Sequence, residues 1–435
     1  MKVLVIGAGL IGLTTAYFLR RSGHEVLVID RQPGPGLETS FANGALITPS
    51  LPEPWNAPGS WRVLLASIGR SDAPLQLHLK TLPSLAGWGL RFLKNSRAAA
   101  FERNTVSNLK LALYSLEVLK SVREDTAIDY LHEAPGTLKL YRDRRALDRA
   151  AAWVERLSPH GLTARRISRS DTLQLEPALA PIADQVAGAI HCKKDETGDA
   201  YRFCVALAEH ARSLGVEFSW GTTASTLEAA GTRVTAVQVS YVSAPLSTGQ
   251  AQRKTARERL EADCYVVAAC SYSQPLLHTV GVRVPIRPVK GYSVTFNRRP
   301  GEPALRIPVL DEELHAAVTP LGDALRVAGT AEFTGYDLTP SAARIENLVR
   351  LIRKILPEGH YDASSARPWC GLRAMSADGV PLIGPTRLAN LFVNTGHGHL
   401  GWTLNCGSAR ILTDLICGSR EFIDAAPYDP RRFGG

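Results

Sequence analysis

Lys2-Val3-Leu4-Val5-Ile6-Gly7-Ala8-Gly9-Leu10-Ile11-Gly12 begins the sequence, Leu13 to Arg20 continues it, and beyond Ser22-Gly23 comes Val26-Leu27-Val28-Ile29, closed by Asp30. The order is an apolar strand, a glycine-rich turn, a helix and a second apolar strand, the unit that binds dinucleotides. Gly7 permits the tight turn, Gly9 lets backbone approach a pyrophosphate, and Gly12 lets helix and strand pack closely. Free amides at the helix N-terminus face the phosphates. Asp30 stands where a carboxylate holds ribose hydroxyls, close to the expected ~20-residue spacing. An ordinary glycine-rich turn accounts for the glycines, but not for strand, helix and acid in this order.

The 435 residues, 45% hydrophobic and 21% charged, are enough for two or three folding units with substantial cores. The seven cysteines are odd in number, scattered and without a C-x-x-C pair, so neither a disulfide framework nor a zinc site is expected. A reducing compartment fits them. The sequence holds no apolar run near the ~18 residues of a membrane span, and its fingerprint leaves no room for a signal peptide, so a cytoplasmic location is expected. The net charge of +9 is spread along the sequence without a basic tail, and a nucleic-acid partner is not expected. The stretch Leu82 to Arg97 mixes Leu85, Trp88, Leu90, Phe92 and Leu93 with Arg91, Lys94 and Arg97. It reads either as a helix packed on its own domain, the favoured account, or as a peripheral contact with the inner face of a membrane.

Beyond Asp30, the Gly- and Pro-rich residues 33–58 interrupt the nucleotide-binding unit. Helical spacing is expected over 61–104 and 106–123, a strand over 136–141 and a helix over 144–157. Asp199 caps a helix over 200–214, followed by strands at 216–220, 234–242 and 264–269. The polar residues 243–259 read as an exposed hairpin insertion. Strands at 287–297 and 325–329 belong to a second sheet, with a helix at 342–355.

Near the C-terminus, the strand Leu391 to Asn394 leads through Thr395-Gly396-His397-Gly398-His399-Leu400-Gly401 into a helix from Trp402 to Ile416. A second helix N-terminus thus points out of a strand-to-helix junction. Two such junctions at opposite ends of one sequence fit a flavin dinucleotide. Its pyrophosphate meets the first helix, while the second stabilises negative charge at the pyrimidine edge of the reduced flavin.

With these landmarks the sequence resembles the FAD-dependent D-amino acid oxidase superfamily, and within it the bacterial D-amino acid dehydrogenases of small-subunit type. The resemblance is carried by Val3 to Gly12, Glu38 to Ala45, Pro288 to Ser293, Gly329 to Glu332, Gly371-Leu372-Arg373, Asp378 to Gly384 and Gly396 to Thr403. It implies an α/β fold in which a Rossmann-like FAD-binding domain (1–50, 190–283 and 366–435) is interleaved with a substrate-binding domain (51–189 and 284–365). The antiparallel sheet of the second domain roofs the flavin ring. By the same resemblance, Val3, Gly7, Ala8, Gly9, Leu10, Ile11 and Gly12 form the nucleotide turn. Asp30 and Arg31 hold the adenosine, Ser40 the pyrophosphate, and Asn43, Gly44 and Ala45 pass the flavin. Ala224, beside Thr223, meets the adenine, and Gly398, His399, Leu400, Gly401, Trp402 and Thr403 close the flavin end. Loop capping is the other account of Ser40 and Asn43.

The implied substrate is a free D-amino acid, whose carboxylate calls for a planar guanidinium. Arg373, in the Gly-Leu-Arg position, fills that role unless it forms a structural ion pair. The implied reaction is hydride transfer from Cα to flavin N5, giving an imino acid that water hydrolyses to a 2-oxo acid and ammonia. Electrons then pass to a quinone or another acceptor. Tyr292 and His399 join Arg373 as candidate catalytic residues, with His397, Glu332 and Tyr272 as further pocket members. Tyr292 packing in its sheet and Glu332 pairing with an arginine are the competing accounts. Cys370 lies near where related secondary-amine oxidases tether their flavin, but a buried structural thiol is favoured. The rival functions are a secondary-amine or hydroxyproline dehydrogenase and a flavin-bearing subunit of a larger complex.

Overall fold

The first strand, Lys2–Ile6, is apolar without alternation because both its faces are buried. Val3 and Val5 pack under the helices, while Leu4 and Ile6 face the opposite core. The structure, a computed structural model, describes residues 1–62, 75–78, 81–242, 255–300, 304–357, 359–419 and 422–434. Lys2–Ile6 lies inside a six-stranded sheet ordered Leu382–Pro385, Leu391–Thr395, Cys264–Val267, Lys2–Ile6, Glu25–Asp30 and Glu217–Trp220. All of its pairs are parallel except the Leu382–Pro385 edge. The strand that extends the nucleotide unit beyond Glu25–Asp30 is Glu217–Trp220, so the insertion expected after Asp30 is present.

Helix Leu10–Arg21 begins three residues before the expected Leu13, directly behind Gly9 as N-cap. Helix Ala200–Ser213 is capped by Asp199, whose side chain accepts from the Arg202 amide. Both pack with helix Gly401–Cys417 into one core.

A second, nine-stranded sheet covers the other side. It runs Tyr361–Ser376, Ile286–Arg298, Ala324–Phe333, Ala316–Leu321, Val309–Asp311, Thr137–Tyr141, Gly188–Cys192 and Arg165–Ser168, with Leu75–Leu77 added on Ala324–Phe333. Most pairs are antiparallel; Val309–Asp311 with Thr137–Tyr141 and Leu75–Leu77 with Ala324–Phe333 are parallel. Strand Tyr361–Ser376 runs ten residues beyond the expected domain boundary at 366, because its ladder with Ile286–Arg298 continues to Ser376.

One local expectation changes. Within 61–104, which was expected to be helical, Leu75–Leu77 is a strand, and residues 63–74 and 79–80 lie outside the described residues. Of the expected hairpin at 243–259, residues 243–254 lie outside the described residues, while Thr255–Leu260 pairs antiparallel with Arg233–Val242 as a hairpin arm and completes a three-stranded sheet. Helix Leu82–Asn95 buries Leu85, Trp88 and Phe92 against Phe333 and Met375, and leaves Leu90 and Leu93 exposed. No helix among the described residues is long and apolar enough to cross a membrane.

Candidate active site

A cavity of about 790 Å³ is walled by the C-terminal ends of the parallel strands on one side and by the large sheet on the other. At one end Gly7, Gly9, Leu10 and Ile11 line it. A Cβ on Gly7 (φ +112°) would stand 2.6 Å from the Ala268 carbonyl oxygen. One on Gly9 would stand 3.3 Å from Ser40 Oγ, which accepts from the Leu10 amide at 3.2 Å. The bare backbone therefore forms a cradle of amides at the start of Leu10–Arg21, suited to a pyrophosphate.

Asp30 lines the same end, and its carboxylate accepts from Ala8 N (2.6 Å) and Gln32 N (2.8 Å). Burial raises its pKa, and these two amides work against the rise. Arg31 pairs with Glu38 and lies flat on the Tyr272 ring, its Cζ 3.7 Å from the centroid. Thr223 and Ala224 form the adjacent wall.

In the middle of the cavity Asn43, Gly44 and Ala45 run along the wall. The sheet holds them by their carbonyls: Ser293 Oγ donates to Ala42 O (2.6 Å), Arg326 to Asn43 O (3.2 Å) and Thr319 to Gly44 O (2.9 Å). Ala45 has φ +57°, with its amide donating to Asn43 Oδ1. Beside these residues the large sheet presents a row of small side chains to the cavity. Ser293 pairs with Ala328, Ala328 with Ala317, and Gly291 with both Gly371 and Ala331. Such a row leaves a flat slot for an aromatic ring system. Ala328→Leu should fill the slot and lower FAD affinity by about two orders of magnitude, with the fold retained; equilibrium titration of the apoprotein with FAD checks it.

At the other end stands Arg373, seated on Gly291, whose absent side chain leaves the guanidinium its place: an added Cβ would lie 2.4 Å from Cζ. Arg373 makes no ion pair among the described residues, and burial alone lowers its pKa to about 10. Its Cζ is 5.5 Å from the Trp55 ring, which stacks on His399 at 5.6 Å and 25°. Burial and the Arg373 charge lower the His399 pKa to about 3. The site thus holds one permanent cation beside a neutral imidazole. Between pH 5 and 9 neither group titrates, so the inhibition constant of an amine-free carboxylate such as propionate should be flat over that range. A break near pH 6.5 would show a titrating histidine instead.

Gly398, Leu400, Gly401 and Trp402 bring the N-terminus of Gly401–Cys417 to the cavity, with Trp402 Nε1 anchored on Gly198 O at 2.9 Å. His397 is buried against Ser408 Oγ (3.1 Å), and burial lowers its pKa to about 3.

Four of the expected cofactor residues do not line the cavity. Val3 is enclosed within the parallel sheet, and the Ala8 amide is occupied by Asp30. Gly12 packs where a Cβ would lie 1.8 Å from Gly7 O, and Thr403 Oγ1 accepts from the Thr48 amide. Each shapes the wall from behind.

Tyr292 borders the cavity, and strand alternation turns its side chain to the face opposite Gly291, where its hydroxyl donates to Glu332 Oε2 (2.8 Å). Glu332 pairs in turn with Arg344 at 3.0 Å. Cys370 lies across from Tyr292 with its thiol on Leu338 O, and this geometry offers no flavin tether there. Tyr272 lies beside Arg31, at the dinucleotide end. Trp55 was not foreseen, since an aromatic among prolines carries no periodicity to place it.

The chain matches the family described as "FAD dependent oxidoreductase" (DAO) over residues 2–415. It is 41% identical over 434 residues to a protein of Rhizobium johnstonii named D-amino acid dehydrogenase, covering 100% of both. It is also 41% identical over 418 residues to one of the same name from Methylobacterium radiotolerans, covering 96% of each. Among solved structures it resembles L-proline dehydrogenase from P. horikoshii (TM-score 0.75, 18% identity, 100% of this chain and 97% of that one). Glycine oxidase from Geobacillus kaustophilus is similar too (TM-score 0.72, 21% identity, 99% and 98%). The amide cradle, the slot of small residues and the match along nearly the whole length agree: the chain belongs to the DAO family of FAD-dependent oxidoreductases.

Proposed function

We propose that this protein is a D-amino acid dehydrogenase, an enzyme that oxidatively deaminates D-amino acids to 2-oxo acids and ammonia. The observation that carries the substrate class is Arg373: a guanidinium buried in the cavity with no carboxylate beside it among the described residues calls for one from the substrate. The D-configuration rests on the names of the relatives.

In this proposal Gly7, Gly9, Leu10, Ile11 and Ser40 hold the pyrophosphate of FAD, Asp30, Arg31 and Ala224 its adenosine, and Asn43 to Ala45 with Gly398 to Trp402 its ring. Bound FAD supplies the two-electron acceptor for the Cα hydride. Arg373 grips both oxygens of the α-carboxylate and so fixes where Cα stands, which contributes much of the rate. His399, neutral and stacked on Trp55, walls the site rather than exchanging a proton. The ammonium gives its proton to solvent before Cα is oxidised, and water then hydrolyses the imino acid.

A quinone serves as electron acceptor, and contact with a membrane is made by the outward face of Leu82–Asn95, where Leu90 and Leu93 stand among Arg91 and Lys94. Anaerobic mixing with D-alanine should bleach the flavin absorption near ~450 nm, and reoxidation should be faster with a soluble quinone than with oxygen. Bleaching by proline or sarcosine alone would replace the proposal with a secondary-amine dehydrogenase. No bleaching by any of these would leave a flavin-bearing scaffold.

A further inference from the structure

Lys290, Glu332 and Arg344 are 2%, 3% and 1% exposed, an ionic cluster on the face of the large sheet turned away from Arg373. Charges are expensive to bury, and the chemistry proposed above gives these no task. Lys290 Nζ lies 3.5 Å from Glu332 Oε2, and donates outward to Asp337 Oδ2 (3.2 Å) and Thr339 O (2.9 Å). The Tyr292 hydroxyl accepts from the Ser341 amide, and Leu338 O accepts from the Cys370 thiol. The base of loop 334–341 is therefore fixed to the sheet at several points.

The tip of that loop reaches the nucleotide-binding part of the molecule. Tyr336, 42% exposed, donates from its hydroxyl to Ser271 O at 3.1 Å and lays its ring 5.2 Å from that of Tyr272. Tyr272 carries Arg31 on its ring, and Arg31 is held by Glu38. Tyr272, Arg31 and Glu38 all line the dinucleotide end of the cavity, whereas Tyr336 stands behind them. A column of two rings and a guanidinium thus runs from the loop to the cavity wall, and among the described residues Tyr336 is what supports it from the loop side.

We propose that loop 334–341 is a clasp on the cofactor: Tyr336 is a positioning residue that holds the Tyr272–Arg31 pair against the adenosine end of FAD, and the Lys290–Asp337 contact locks the clasp. The proposal rests on the placement of the adenosine at Asp30 and Arg31 made above. It accounts for a buried cation-rich cluster on the face of the sheet opposite Arg373, and for Tyr292 and Glu332 as parts of the anchor.

The test is the rate at which FAD leaves the purified holoenzyme on dilution, followed by the rise in flavin fluorescence. Tyr336→Ala should speed release about tenfold through loss of the ring contact. Tyr336→Phe, which keeps the ring, should restore most of the retention. Asp337→Asn, which leaves the ring in place but weakens the anchor, should speed release by a smaller factor. Equal release rates from the wild type and Tyr336→Ala would overturn the clasp. Acceleration by Tyr336→Ala with none by Asp337→Asn would overturn the lock. A yellow wild-type protein that D-amino acids fail to bleach would defeat the proposed activity and leave this test standing; one that takes up no FAD would defeat the cofactor placement itself.

Discussion

Arg373→Met lowers kcat/KM for D-alanine by about two to four orders of magnitude, while FAD stays bound. Two charge-assisted hydrogen bonds of ~1.5–3 kcal/mol each are lost, and each ~1.4 kcal/mol is a factor of ten. No second cation stands by to compensate, since no other charged group of the described residues is near enough to influence the Arg373 pKa. Arg373→Lys keeps the charge without the planar fork and should recover only part of the loss. Gly291→Ala gives an independent measure, because its methyl would stand 2.4–2.8 Å from Cζ, Nη2 and Nε of Arg373. The guanidinium has to swing aside, and a displacement near 1 Å is worth about a hundredfold in rate. Steady-state kinetics on the yellow, folded variants check both, and kcat/KM within tenfold of the wild type for Arg373→Met would remove the basis for an amino-acid substrate.

Gly12→Ala destabilises the protein by at least ~4 kcal/mol, beyond the usual range for one methyl group. The added carbon would lie 1.8 Å from Gly7 O and 2.9 Å from Gly7 C. Gly7 cannot retreat. Its amide donates to Ile29 O at 2.9 Å, and its own Cβ direction points at the Ala268 backbone. The variant should therefore be recovered colourless or insoluble. Gly23→Ala is the contrast: φ there is +86° but nothing lies within 4 Å, so only a conformational cost of ~1–2 kcal/mol applies. Thermal melting of both variants, read with flavin content, separates a backbone collision from simple strain.

Much of this was legible in the chain because it is local. The first strand, the helix at 144–157 and the Asp199 cap depend on neighbours a few residues apart and stand where expected, and the first helix differs only in starting at Leu10 rather than Leu13. The misjudged segment is one whose state is set from afar: Leu75–Leu77 is extended because Ala331–Phe333 offers it an edge.

The candidate site divides in the same way. Glycines that let backbone approach a phosphate leave a fixed spacing, so the cradle at Gly7 to Ile11 could be read from sequence. Tyr292 could not be assigned, because the face on which a strand residue emerges depends on a register set with Ala324–Phe333 and Tyr361–Ser376. Trp55 meets His399 across the fold, and Tyr336 meets Tyr272. Sequence by itself determined the class of fold and the kind of cofactor, since strand, turn and helix signals act over short range. Tertiary structure alone decided which side chains face the cavity, because pairing of strands hundreds of residues apart sets what each one meets.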